Sequence, residues 1–368
     1  MSQAVIGWDI GGAHVKAVWL DDAGRIVQVS QQACALWKGL HLLQASLRSI
    51  LQSWSLAPEA CTHAVTMTGE LVDLFESRAQ GVREIAATVQ QCLPGAVFYM
   101  AAADQAASFT ATVHGLEPAI ASMNWHASAL CLAETSGLAE ISGLAETSGL
   151  AQTSAAASML IVDIGSTTSD ITLCHAKQLV ANGWTDAERM ASHGLLYSGV
   201  VRTPLMAFGP YIAWQQQTRH LAAEYFATTA DVYRVLGELD PAHDLADTAD
   251  GQDRSVAASM RRLARMLGHD LQDATSSDWQ SLALAFRQQQ VASLLHAIQS
   301  CVTQADLQPQ SLTGLGAGSF LLPAIAQQLQ LTYTPATSWM SADDPTLKDH
   351  AQVCFPAYAV ARLWQAWH

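Results

Sequence analysis

Two aspartates each end a short apolar run and precede a glycine turn, a pattern that can bind cations and phosphates. The segments around them, residues 4–18 and 159–172, align without a gap. The matched positions are Asp9 with Asp163, Gly11 with Gly165, and Lys16 with Asp170. Such a turn offers backbone N–H groups to oxyanions, and a carboxylate at the end of a strand can hold a hard cation. One copy is also typical of a turn-capping aspartate, whereas two copies in one chain favour ligand binding.

The two turns supply a first set of candidate functional residues. Those predicted to bind phosphate or substrate are Gly11, Gly12, Gly165, Ser166, Thr167, Thr168 and Asp170. The same residue types also occur in β-turns that bind no ligand. We predict that Asp9 and Asp163 are catalytic and hold Mg²⁺, directly or through water. Lys16 is a candidate catalytic residue that places a positive charge on a phosphate, with a lysine lying along a strand as the alternative.

Three further segments contribute candidates. They are Thr68, Gly69 and Glu70; Arg202 and Thr203; and Gly316 and Gly318. The carboxylate of Glu70 can act as a catalytic base or bind an amine, or it can cap a helix. The guanidinium of Arg202 suits a diphosphate or a carboxylate, although a structural salt bridge is the competing explanation. The two glycines permit close approach of the backbone to a ligand, but a single GxGxG motif is a weak indicator.

Apolar periodicity predicts the elements that position these residues. Strands are expected over residues 4–9, 15–20, 25–33, 64–68, 96–100 and 177–182, within the hairpin that contains Asp163, and from residue 311 towards 318. Helices are expected over residues 40–54, 77–93, 118–134, 221–238, 254–267, 278–304, 320–329 and 357–367. The acidic run 240–253 is better explained as a solvated connector than as a metal site.

Composition indicates a compact globular protein and argues against several classes. Half of the residues are hydrophobic, 14% are charged, and the net charge of −14 argues against binding nucleic acid through bulk electrostatics. No apolar run approaches the ~20 residues that span a membrane, and we expect a soluble, cytoplasmic protein. The seven cysteines include no CxxC pair, and the 13 histidines show no metal-binding spacing, which favours reduced thiols and structural histidines.

Residues 132–155 are four related hexapeptides, LAETSG, LAEISG, LAETSG and LAQTSA. A period of six matches neither the helical period of about 3.6 nor the strand period of about 2. Four copies are also too few for a self-supporting β-helix core. We therefore predict that residues 132–157 form an inserted surface loop without a catalytic role.

Further motifs resemble those of a known family. They are residues 66–75 (TMTGELVDLF), Asn124-Trp125, Thr185-Asp186 with Arg189, residues 197–204 (YSGVVRTP) and residues 314–318 (GLGAG). Together with the aspartate turns, they resemble the hydantoinase/oxoprolinase branch of the actin-like ATPase and sugar-kinase superfamily. The resemblance covers nearly the whole chain apart from the repeat. It implies an α/β fold with two similar lobes around a central cleft, residues 1–131 and 158–368, and a helical insertion near residues 205–304.

Within this family the chain most resembles short proteins of tetrahydromethanopterin-linked one-carbon metabolism, as in methylotrophy. Their archaeal relatives form the aryl ether of the methanofuran core. The resemblance implies a transferase that acts on small molecules, a furan diphosphate and a phenolic amine, with Mg²⁺ and without ATP. The fold alone is compatible with an ATP-dependent kinase or an amidohydrolase, and a non-catalytic nucleotide switch is a further alternative. The sequence leaves open the exact phenol and the oligomeric state.

Overall fold

The computed structural model describes residues 4–55, 61–93, 95–103, 106–135 and 158–368. Beyond residue 135, the hexapeptide repeat and the surface loop predicted for it lie outside the described residues. The described residues form two compact units. The first lies within Met1–Met159, Cys174–Val180 and Pro335–His368, and the second within Leu160–Leu173 and Ala181–Thr334.

The regular elements of the described chain are numbered in sequence order. The strands are β1 (Ala4–Ile10), β2 (His14–Leu20), β3 (Ile26–Ala33), β4 (Cys61–Met67), β5 (Ala96–Ala103), β6 (Ala106–Thr110), β7 (Ser158–Ile164), β8 (Ser169–His175), β9 (Gln178–Val180), β10 (Leu195–Leu196), β11 (Tyr211–Trp214), β12 (Gln217–His220), β13 (Ser311–Leu315) and β14 (Thr332–Pro335). The α-helices are α1 (Leu40–Ser53), α2 (Arg78–Cys92), α3 (Glu117–Ile120), α4 (Asn124–Thr135), α5 (Asp186–Ala191), α6 (Thr229–Leu236), α7 (Val256–Arg265), α8 (Ser276–Ala305), α9 (Leu322–Gln328), α10 (Pro345–Val353) and α11 (Phe355–Trp367). Within this described part, none of the helices combines the length and the apolar character that crossing a bilayer requires.

Six strands of the first unit form one sheet in the order β3-β2-β1-β4-β5-β6. β2 runs antiparallel to β1, whereas β4 runs parallel to it. In this register Asp9 lies between Lys16 on β2 and Thr66 on β4. The sheet therefore positions the first aspartate next to the predicted lysine.

The last helix, α11, belongs to the first unit because its backbone packs directly on β1. A Cβ at Gly7 would lie 1.8 Å from the carbonyl oxygen of Ala357, so only glycine permits this approach. The adjacent β1 residues Ile6 and Trp8 point to the opposite face, into the core to which α1 and α2 contribute. The sequence-based division assigned residues 158–368 to a single lobe, whereas the observed units group Pro335–His368 with the first sheet.

The second unit contains most of the other large sheet, whose strands are in the order β10-β8-β7-β13-β14. Its helices α6, α7 and α8 pack against one another. Arg234 of α6 donates to Asp244 at 2.6 Å, and Arg262 of α7 donates to Asp250 at 3.0 Å. The acidic run 240–253 is therefore held against two helices by ion pairs, which differs from the solvated connector that we predicted.

Two predicted helices differ from the observed ones. The helix predicted over residues 118–134 is divided into α3 and α4, because Ser122 between them has a φ of +55°, a left-handed conformation incompatible with a continuous helix. The helix predicted over residues 221–238 begins only with α6, where Thr228 and Asp231 form a capping box. Periodicity also missed β6 and the hairpin of β11 and β12.

Candidate active site

The first glycine turn joins β1 to β2 and is flanked by a carboxylate and an ammonium group. The N–H of Gly11 donates to the carbonyl oxygen of His14 at 2.9 Å, which closes the turn. Because Asp9 and Lys16 are opposite each other in the register, their side chains meet, with 3.7 Å between the ammonium nitrogen and a carboxylate oxygen. Asp9 is buried, and the Lys16 side chain is 20% exposed. The lysine therefore balances the charge of the aspartate and is itself accessible to solvent.

The segment after β4 packs against the same turn. The N–H of Thr68 donates to the last carbonyl oxygen of β1 at 3.0 Å. A Cβ at Gly69 would lie 3.3 Å from the carbonyl carbon of Gly11, and a Cβ at Gly12 would lie 2.7 Å from Cγ1 of Val72. Glycines in both segments thus allow the two loops to pack closely. The structure brings together the predicted residues Gly11, Gly12, Thr68 and Gly69.

Glu70 follows this segment and is held by two side chains that the sequence did not single out. Its Oε1 accepts a hydrogen bond from the hydroxyl of Ser122 at 2.8 Å. The guanidinium of Arg78 donates to the same hydroxyl at 2.7 Å and lies 3.5 Å from Oε1. The Glu70 side chain is 0% exposed, so it cannot contact a substrate in this conformation. A catalytic role for Glu70 is still a prediction. It would require the contacts of Glu70 with Ser122 and Arg78 to break.

The second turn lies between β7 and β8 and carries a carboxylate and three hydroxyl groups. The N–H of Gly165 donates to the carbonyl oxygen of Thr168 at 2.8 Å. Asp163, Ser166, Thr167 and Thr168 are all partly exposed. The hydroxyl oxygens of Ser166 and Thr167 are 3.5 Å apart. Neighbouring hydroxyls beside a carboxylate form a donor set that suits phosphate oxygens and an accompanying cation.

The loop that carries Arg202 is hydrogen-bonded to the second turn. The N–H of Arg202 donates to the carbonyl oxygen of Ser166 at 2.8 Å. A Cβ at Gly199 would lie 2.4 Å from the carbonyl carbon of Ser166, so this position requires glycine. The Arg202 side chain is partly exposed, whereas Thr203 is buried and donates its hydroxyl to the carbonyl oxygen of Gly199 at 3.0 Å. Arg202 therefore lies at the second turn, whereas Thr203 stabilises the preceding part of the loop through its bond to Gly199.

The glycines after β13 approach the end of β7. A Cβ at Gly316, whose φ is +80°, would lie 2.3 Å from Oδ1 of Asp163. The N–H of Gly318 donates to the carbonyl oxygen of Ile164 at 2.7 Å. We predicted that Gly316 and Gly318 let the backbone approach a ligand closely. In the structure, they approach β7, the strand that carries Asp163. Direct binding of a ligand by these glycines stays a prediction.

Asp170, which matches Lys16 in the sequence alignment, is buried in an ion pair. Arg189 of α5 donates to its Oδ1 at 2.8 Å and to the carbonyl oxygen of Gly194 at 2.7 Å. The Asp170 and Arg189 side chains are 10% and 4% exposed. The two turns therefore differ in charge, because a lysine faces Asp9 in the first and an arginine-paired aspartate occupies the matching position in the second. This pairing supports a structural role for Asp170, which we had predicted as a binding residue.

The second turn suits Mg²⁺ better than the first. Among the described residues, no three His, Cys, Asp or Glu side chains are grouped so as to hold a metal. Mg²⁺ is commonly bound by one or two carboxylates together with waters and substrate phosphates. Asp163, which is partly exposed beside the turn hydroxyls, matches that requirement. Asp9 is buried and already faces Lys16.

Two relatives align with much of the chain. The (4-{4-[2-(gamma-L-glutamylamino)ethyl]phenoxymethyl}furan-2-yl)methanamine synthase of Methanocaldococcus jannaschii is 25% identical over 318 residues, which cover 86% of this chain and 87% of the relative. The protein of the same name from Methanococcus vannielii is 29% identical over 157 residues, which cover 43% of this chain and 70% of the relative.

A solved structure and a family model define the fold and the family. The nucleotide-free structure of acetone carboxylase matches with a TM-score of 0.55 and 11% identity, over 98% of this chain and 70% of that one. At this identity the match shows the fold alone, and the predicted α/β fold is confirmed. The model of the hydantoinase/oxoprolinase family matches residues 62–342, which is more than half of the chain. The chain therefore belongs to the hydantoinase/oxoprolinase family.

Proposed function

We propose that this protein is a transferase that forms the aryl ether of a methanofuran- or methylofuran-type cofactor. In the proposed reaction, the phenol oxygen of a tyramine- or tyrosine-derived partner replaces the diphosphate of an aminomethyl-furanmethyl diphosphate. The two relatives support this proposal, because they are named as a furan methanamine synthase and one aligns with 86% of the chain. The structural observation that carries it is the second turn, with a carboxylate and three hydroxyls partly exposed.

The second turn suits a diphosphate leaving group. The hydroxyls of Ser166, Thr167 and Thr168 can donate hydrogen bonds to its oxygens. Arg202 is held beside them by its main-chain bond to Ser166, and a guanidinium binds phosphate oxygens in pairs. Fixed donors of this kind stabilise the negative charge that grows on the leaving oxygen as its bond to carbon breaks. We assign these residues to the step that releases pyrophosphate.

The proposed reaction balances without a nucleotide. The bond between the furanylmethyl carbon and the diphosphate oxygen breaks, and its electron pair leaves with pyrophosphate. The electron-rich furan stabilises the positive charge on that carbon. The phenol oxygen then forms the new C–O bond and loses its proton to a base. The protein mainly has to bind the leaving group and exclude water, so ATP has nothing left to activate.

The remaining candidates have narrower roles in this proposal. Lys16, oriented by Asp9 at 3.7 Å, provides a positive charge at the first turn. Mg²⁺ bound at Asp163 would add positive charge to the diphosphate and so favour its departure. Glu70 is the proposed base for the phenol proton, and it can act only after its contacts with Ser122 and Arg78 open.

A nucleotide-free assay tests the proposal. Enzyme, Mg²⁺, the furan diphosphate and the phenolic amine are mixed without ATP, and ether and pyrophosphate are measured together. We expect both products in equal amounts, and neither when the phenolic amine or the enzyme is omitted. Product that forms only with ATP, in step with ADP or phosphate, would favour an ATP-dependent kinase or an oxoprolinase-like amidohydrolase instead.

A further inference from the structure

Gln290 lies near the middle of α8 and connects this helix to the loop beside the second turn. The residue is 1% exposed. Its amide nitrogen donates to the carbonyl oxygens of Ser198 at 3.1 Å and Gly199 at 3.0 Å. Its amide oxygen accepts a hydrogen bond from the hydroxyl of Tyr233 at 2.5 Å. Both ends of the buried amide are therefore occupied.

The chemistry of these partners fixes the orientation of the amide. Carbonyl oxygens only accept hydrogen bonds, so the nitrogen of Gln290 must face the loop and its oxygen must face Tyr233. Burial raises the pKa of Tyr233, so the phenol keeps its proton and donates. The ring of Tyr233 is itself in edge-on contact with Phe320, with 5.1 Å between the ring centroids. Tyr233 thus holds Gln290 in one conformation.

The Ser198–Gly199 segment, which Gln290 binds, is itself hydrogen-bonded to the second turn. The carbonyl oxygen of Gly199 accepts hydrogen bonds from three side chains, Gln290 at 3.0 Å, Thr203 at 3.0 Å and Thr229 at 2.9 Å. The N–H of Gly199 donates to the carbonyl oxygen of Thr167 at 3.0 Å. A movement of the Ser198–Gly199 segment therefore changes the position of the second turn. It also moves Arg202, which lies farther along the same loop.

We propose that Gln290 and Tyr233 are positioning residues that set the affinity of the second turn for a diphosphate. They act through the Ser198–Gly199 segment, because Gln290 bonds to this segment rather than to the turn itself and Tyr233 bonds to Gln290. Donors held in place before binding lose less conformational entropy when the ligand arrives. The inference rests on the proposed function, since that function supplies the diphosphate.

Two substitutions and a matched control test the proposal. Gln290→Met keeps the length of the side chain and removes both hydrogen-bonding groups, and Tyr233→Phe removes only the hydroxyl. Gln289→Met is the control, because Gln289 also lies on α8 and donates to a main-chain carbonyl oxygen, that of Tyr211 at 3.0 Å, which belongs to the β11–β12 hairpin. The measured quantities are the Kd of inorganic pyrophosphate by titration calorimetry with Mg²⁺, and the Tm, all on the full-length protein.

We expect Gln290→Met to weaken pyrophosphate binding about tenfold, Tyr233→Phe about threefold, and Gln289→Met by less than about twofold, in proportion to the buried hydrogen bonds removed. A folded Gln290→Met variant with a lower Tm and an unchanged Kd would show a purely structural role and overturn the proposal. If Gln290→Met does not fold, an unchanged Kd in Tyr233→Phe overturns it in the same way.

This inference and the proposed function fail in different ways. Wild-type protein that binds pyrophosphate but makes no ether, together with weaker binding by the two variants, supports the inference and rejects ether synthesis. Wild-type protein that does not bind pyrophosphate overturns the inference, because these residues then have no affinity to set.

Discussion

The same substitution at two carboxylates of one hairpin should have opposite effects. Asp163→Asn removes the charge of a partly exposed side chain on β7, whereas Asp170→Asn removes the charge that balances Arg189. Asparagine has nearly the size and shape of aspartate, so packing is preserved at both positions. We expect the first variant to lose activity and keep its stability, and the second to lose stability.

Burial sets the size of the stability effect. Breaking a buried ion pair costs about 3–5 kcal/mol, because the other charge is left uncompensated. Arg189 also donates to the carbonyl oxygen of Gly194, which leads us to expect a loss near the lower bound, about 3 kcal/mol, for Asp170→Asn. Asp163→Asn lies at a partly exposed position and should change the free energy of unfolding by less than about 0.5 kcal/mol.

The loss of activity follows from the charge that Asp163 supplies. If this carboxylate holds Mg²⁺ against the diphosphate, its removal should weaken stabilisation of the transition state by several kcal/mol. Because about 1.4 kcal/mol corresponds to a tenfold change in rate, kcat/KM should fall by roughly 10²–10³. Asp170→Asn, assayed at a temperature where it is folded, should stay within about tenfold of the wild type.

Urea denaturation measures the free energy of unfolding, and the nucleotide-free ether assay measures kcat/KM. Asp343→Asn serves as the control, because its side chain is 88% exposed and the same change there should affect neither quantity. Near wild-type activity of folded Asp163→Asn would remove this carboxylate from the mechanism. Wild-type stability of Asp170→Asn would refute the view that the buried pair stabilises the hairpin.

Two further predictions concern the repeat and the thiols. Deleting residues 138–149 should leave activity and Tm nearly unchanged, since we predict a surface loop there and halving the length of a loop alters its closure entropy by only about 0.6 kcal/mol; a loss of soluble protein would contradict this. Native protein should react slowly with a thiol reagent near pH 8, because all seven cysteines are buried and the thiolate is the reactive form. Burial raises the pKa of Cys131 and Cys354 to about 12. Counting fast-reacting thiols before and after denaturation checks this, and rapid labelling of native protein would indicate local opening.

The two aspartate hairpins were predictable because their information lies within a few residues. Apolar alternation and a glycine turn define β1–β2 and β7–β8 without any distant contact. Contacts between distant segments follow no such period. Glu70 and Ser122 are 52 positions apart, and Gln290 and Ser198 are 92 positions apart. No local pattern connects these pairs.

The same limit applies to the roles of the candidate residues. The sequence placed Asp163 and Asp170 in one turn motif. The motif itself does not show that Arg189 pairs with Asp170 and not with Asp163. A signal did exist nearby, because Thr185 and Glu188 form a capping box that starts α5 and brings Arg189 into its last turn. Which carboxylate that arginine binds depends on the pairing of β8 with β10, and pairing between separate strands is a tertiary property.

The contact between Gly7 and Ala357 has a consequence for synthesis of the chain. The two residues stand near opposite ends of the sequence, so β1 leaves the ribosome long before the helix that covers it. Contacts between such distant segments form slowly and leave apolar surface exposed in the meantime. The second unit, whose residues all precede α10 and α11, can be completed earlier. During most of translation, one face of the first sheet therefore lacks the helix that covers it in the folded protein.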